Sequence, residues 1–119
     1  MRDPRERLRD MLEAIARIDQ YTAQGQDAFA QSELIQTWVV HHLLIVGEAS
    51  AAIPTDVRAL APNLPWRQIM GMRNILVHHY FDIDLPTVWA VVEHDLPMLA
   101  HEATALLAAL GAAFGSSHP

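Results

Sequence analysis

At 119 residues, 51% of them hydrophobic, the chain is sized for one domain that buries about two-thirds of the surface exposed when unfolded. It contains no cysteine, which excludes disulfides and thiolate metal sites, and no apolar run approaches the ~20 residues of a membrane-spanning helix. Its basic residues are all arginine, and the net charge of −6 argues against broad electrostatic capture of nucleic acid; contact with RNA would have to be local, through a few arginines in a cleft.

The chain opens on Met1-Arg2-Asp3-Pro4-Arg5-Glu6-Arg7, charged in both signs and unlike a secretory signal, so a cytoplasmic protein is expected. Arg2, Arg5, Arg7 and Arg9 interleave with Asp3, Glu6 and Asp10, the pattern of a salt-bridged helix surface. Leu8, Met11, Leu12, Ile15 and Ile18 recur at helical steps, predicting a first helix that ends between Thr22 and Gln26. A second helix is predicted from about Ala28 to Ala52, with Leu34, Ile35, Trp38, Val39, His42, Ile45, Val46 and Ala49 on a broad apolar face. Pro54-Thr55-Asp56 breaks it, and a short helical turn is predicted around Val57 to Ala61.

Asn63-Leu64-Pro65-Trp66 reads as the start of a third long helix, with Asn63 as its cap and Pro65 in its first turn. That helix runs through Ile69, Met70, Arg73 and Val77 to near Tyr80. After Phe81-Asp82-Ile83, Asp84 caps a last helix with Pro86 in its first turn. Val88, Val91, Val92, Leu96, Leu99, Leu106, Leu107 and Leu110 line it, and Pro97 inside it predicts a kink or break near Asp95. No segment alternates like a strand. The expected fold is all-α, an up-and-down bundle of four to five helices over residues 1–112, with 113–119 as a flexible tail.

Chemistry concentrates in Arg73-Asn74-Ile75-Leu76-Val77-His78-His79-Tyr80. Arginine holds a phosphate with a planar fork of donors at any physiological pH, and histidine exchanges a proton near neutrality. Together they suit metal-free cleavage of a phosphodiester. On a regular helix Arg73 and Tyr80 lie about 20° apart, whereas His78 lies about 140° around from Arg73 and ~7.5 Å along the axis. Arg73 and His78 therefore converge only if the helix unwinds near His78 or if a second copy brings its own motif across a two-fold axis. The plainer reading is a solvated arginine, a histidine complementing the helix dipole and a tyrosine at the rim of the core.

The other histidines offer less. His94 and His101 share a helix face near Glu102, but zinc would want a third ligand at good spacing; with Glu93 they read as a solvated face. His42 reads as a satisfied interface histidine, and Glu48 as a structural residue that pairs with an arginine or lines a cleft.

The run from Pro65 to Asp84 resembles the HepT-like branch of the HEPN superfamily, as do Ile45-Val46-Gly47-Glu48-Ala49, Val88-Trp89 and Asp95-Leu96-Pro97. The resemblance extends from about Leu8 to Leu110. It implies a helical bundle that forms a homodimer, with Arg-x4-6-His motifs facing a shared cleft, and a metal-independent endoribonuclease acting as the toxin of a type II-like toxin–antitoxin pair. It implies catalytic roles for Arg73 and His78, a supporting one for Asn74, and no cofactor or metal. It also implies that Tyr80 takes the tyrosine place of Arg-x4-His-x-Tyr, where a small nucleotidyltransferase antitoxin adenylylates it. His79 fills the variable position. A second function fits the same residues: a non-catalytic HEPN subunit that accompanies a nucleotidyltransferase or presents substrate to it. The intact Arg73, His78 and Tyr80 favour the ribonuclease, and the charge of −6 with the scarcity of positive charge near the site favours the accessory subunit.

Overall fold

Asp3 starts the first helix, α1 (Pro4–Thr22): its carboxylate accepts from the Arg5 backbone N–H, and Pro4 in the first turn removes an amide that lacks a helical partner. The computed structural model describes residues 3–78 and 84–115, and the side chains of residues 3–72 and 84–111. Beyond α1 come α2 (Gln26–Gln31), α3 (Glu33–Ala52), α4 (Thr55–Arg58), α5 (Trp66–His78), α6 (Leu85–Ala90) and α7 (Leu96–Gly115). A π-helical turn, Val91–Asp95, joins α6 to α7, so the two read as one long helix. Among the described residues there is no strand.

The α3 helix is the centre of the bundle, packed on α1 and on α5, while α1 also packs on α7. Leu8, Met11, Ile15 and Ile18 of α1 are buried, as are Val39, Leu43 and Val46 of α3 and Leu96, Leu99, Ala103 and Leu106 of α7. Among the described residues two polar side chains are buried, His42 and Ser50; the Ser50 hydroxyl bonds to the Val46 carbonyl at 2.8 Å and lies 3.6 Å from the Met11 sulfur.

The structure departs from the sequence-based expectation at the second helix, at Leu34 and at the cap of α5. The helix expected from Ala28 to Ala52 is two helices. Ser32 adopts an extended conformation, and its hydroxyl accepts from Ile35 N–H, ending α2 and capping α3. Leu34, expected on the apolar face, is 80% exposed, because nine residues place it about 180° from the buried Leu43 on α3. The cap of α5 falls on Pro65, whose carbonyl accepts from Ile69 N–H, and not on Asn63.

The last helix begins as expected. Asp84 accepts from both the Thr87 N–H and the Thr87 hydroxyl, with Pro86 in the first turn. The disturbance expected near Asp95 takes the form of the π turn, in which Leu96 N–H reaches back to the Val91 carbonyl. Pro97 has no N–H to give and its ring crowds the preceding turn, so a widened turn just before it lets the helix continue. α7 runs to Gly115, three residues into the stretch expected as a tail; residues 116–119 lie outside the described residues.

Candidate functional site

The helix that carries the Arg73–His78 motif is held at its start from two sides. Trp66 Nε1–H donates to the Ala61 carbonyl at 3.0 Å, tying α5 to the turn after α4. Leu64 and Ile69 are buried in the core, and α5 packs on α3. Arg58, the last residue of α4, points Nη1–H at the Met70 sulfur, 2.6 Å away, and Nη2–H at the Thr55 hydroxyl, 3.1 Å away.

From Trp66 to His78 the backbone is α-helical throughout. Positions 73 and 78 therefore sit on one regular helix, about 140° and ~7.5 Å apart. An unwinding before His78, one of the two ways in which these positions could converge, does not occur. Arg73, Asn74 and His78 belong to α5 by their backbone. Tyr80, the expected modification site, and His79 lie outside the described residues.

A groove of about 300 Å³ runs beside the first half of α5, between Leu43 of α3, Ile69 and Met72 of α5, and Val88, Val91 and Leu99 beyond. Its walls are mainly apolar, and the π turn contributes Val91 and Asp95. Turns of this kind frequently accompany functional sites.

The histidines of α3 have structural partners. His42 is buried; its Nδ1 lies 2.8 Å from the Trp38 carbonyl, which only an Nδ1–H can satisfy, and its ring packs at 4.5 Å on Trp38. His42 is thus the satisfied histidine expected on this apolar stripe. His94 is exposed and lies 3.3 Å from Glu93, whose other oxygen accepts from Trp89 Nε1–H. Glu48 is exposed and has no ion-pair partner among the described residues. Among the described residues no group of three His, Asp or Glu is placed to hold a metal ion, and no helix is long and apolar enough to cross a membrane.

The comparison that decides the family is with a model described as Ribonuclease HepT-like, which matches residues 11–106. The chain belongs to this family. A candidate RNase of Methanocaldococcus jannaschii is 37% identical over 102 residues, 85% of this chain and 94% of its own. A protein of Thermococcus cleftensis, named as a probable ribonuclease HepT, is 37% identical over 99 residues, 82% of this chain and 90% of its own. A third relative, from M. jannaschii, is named both a gamma-glutamylcyclotransferase and a candidate RNase; it is 36% identical over 96 residues, 80% of this chain but 43% of its own. No solved structure matches at a significant level. The HepT-like match spans α5 and its packing partners, so the HEPN-like, all-helical architecture expected from the motif is the architecture present.

Arg58 is the residue at this site that the motif gave no reason to single out. The sequence did hold a signal. Between Asp56 and Asp82 there is no acidic residue, although the whole chain has fourteen, so the expected scarcity of positive charge near the motif does not hold: Arg58, Arg67 and Arg73 all lie in that stretch.

Proposed function

We propose that this protein is a metal-independent endoribonuclease, the toxin of a toxin–antitoxin pair. The observation that carries the reading is Arg73 and His78 spaced five residues apart on an unbroken α5 in a chain of the HepT-like ribonuclease family. Arg73 holds the scissile phosphate and stabilises the charge added in the transition state. His78 takes the proton of the ribose 2′-hydroxyl as its oxygen attacks phosphorus. The bond from phosphorus to the 5′-oxygen breaks, and that oxygen receives a proton. The products are a 2′,3′-cyclic phosphate and a 5′-hydroxyl. Asn74 orients the phosphate or a neighbouring side chain.

One histidine cannot be base and acid in the same step. A homodimer provides a second His78, and the 140° between positions 73 and 78 on one helix supports a cleft shared by two copies. Tyr80 is the proposed point of control. A nucleotidyltransferase antitoxin joins its phenolic oxygen to the α-phosphorus of a nucleoside triphosphate, with loss of the phenolic proton and release of pyrophosphate. The attached phosphate pairs with Arg73 and the base fills the cleft.

The charge of −6 favours a second reading, an accessory subunit of a nucleotidyltransferase that cleaves nothing. The two separate by incubating total RNA and transfer RNA with the purified protein in excess chelator, beside His78→Ala. Cyclic-phosphate ends from the wild type alone are expected, with His78→Ala slower by about 10²–10⁴. No cleavage by a folded, unmodified wild type supports the accessory subunit.

A further inference from the structure

We propose that Arg58, flanked by Arg67, is a second phosphate contact, which binds the RNA strand next to the phosphate held by Arg73. The inference rests on the ribonuclease reading and adds a path for the strand along α5.

Residues 57–81 contain Arg58, Arg67 and Arg73 and no Asp or Glu, a local charge of +3 in a chain of −6. Two of the other described arginines pair with carboxylates: Arg5 lies 2.6 Å from Asp3 and Arg17 lies 3.6 Å from Glu13. Arg58 pairs with no carboxylate among the described residues. Asp56, two residues earlier on α4, is exposed and forms no ion pair with it. Among the described residues the partners of Arg58 are a thioether and a hydroxyl, and its Nε–H is buried with no acceptor. A thioether is a weak acceptor, so a guanidinium held this way keeps its charge uncompensated and suits an anion. A cation that ends α4 also complements the dipole of that helix, but α4 spans four residues, too short for that to account for the placement.

The placement points along α5. The guanidinium rests on Met70, which on a helix lies about 60° from Arg67 on one side and about 60° from Arg73 on the other, ~4.5 Å along the axis from each. Arg67 is exposed. Arg58 is thus fixed over the turn preceding Arg73, on a helix start already pinned by Trp66 and Ala61. A strand whose scissile phosphate lies at Arg73 has its neighbouring phosphates within the field of Arg58 and Arg67.

The test uses full-length protein and a single-stranded RNA with every 2′-hydroxyl methylated, so that binding is read without cleavage. Fluorescence anisotropy is followed against salt for the wild type, Arg58→Gln, Arg58→Lys, Arg67→Gln and Arg17→Gln. Arg58→Gln is expected to bind about tenfold more weakly and to lower the magnitude of the salt slope by about 0.7, with the same loss on unrelated sequences. Arg58→Lys recovers most of the slope. Arg67→Gln lowers the slope in the same sense, and Arg17→Gln, an equal charge change on α1, does not. Wild-type affinity and slope in folded Arg58→Gln overturn the proposal, as does an unchanged slope in Arg67→Gln if Arg58→Gln does not fold. If such a result comes with a wild type that cleaves RNA in chelator, the ribonuclease reading stands. A wild type that neither binds nor cleaves overturns both.

Discussion

Asp3 shows how much one half-buried side chain specifies at the start of α1. Its carboxylate accepts from the Arg5 guanidinium and from the Arg5 backbone N–H, and these hydrogen bonds pull its pKa from an ordinary 3.8 down to about 2. A depressed folded-state pKa means that the charged cap favours the fold above the unfolded value and loses that contribution as pH falls through about 2. An NMR titration of the Asp3 carboxyl is expected to show a midpoint near 2 in the wild type, moved back toward 3.8 in Arg5→Ala. A wild-type midpoint near 3.8 would mean that the pair does not hold in solution. Deep in the core the relevant quantity is volume. Ile18 is fully buried, so Ile18→Ala is expected to lower the unfolding free energy by about 2–5 kcal/mol in denaturant titration. At the motif itself, residue types suggested a chemistry for Arg73 and His78, and the resemblance to the HepT-like branch implied their roles. The acid-free stretch around Arg58 was legible, but its contact with Met70, twelve residues away, is one that no local pattern encodes.

At the scale of elements, what was legible followed from strong local rules. Periodic apolar residues announced α1, and Asp84 with Pro86 announced α6. Pro97 announced a disturbance near Asp95, though not that a π turn would absorb it. The break at Ser32 was missed because apolar residues continue on both sides of it and outweigh a single polar residue. The available signal was a serine followed directly by an acid, the pattern of a helix start. Since the Ser32 hydroxyl satisfies Ile35 N–H, Ser32→Ala is expected to cost about 1 kcal/mol, while Ser32→Asp should cost less; equilibrium denaturation of the two variants measures both. Equal stability of Ser32→Ala and wild type would show that packing of Phe29 alone ends α2. The Asn63 cap failed for a related reason. The proline that suits a first turn can equally sit just before it, and Pro65 does.

For the whole molecule, the fold class was legible because every segment was amphipathic or apolar at helical spacing. Assembly was not, because α5 displays positions 73 and 78 on different faces, and one chain says nothing of what meets them. The proposed answer is a second copy, with two His78 side chains serving one cleft as base and acid. The most direct measurement is a subunit-mixing titration in excess chelator, with wild type diluted by His78→Ala at constant total protein and full exchange. If both histidines act in one shared cleft, RNA cleavage falls as the square of the wild-type fraction, because a dimer with one altered chain is silent. Cleavage falling in direct proportion to that fraction would contradict the shared cleft and make each chain a complete site of its own.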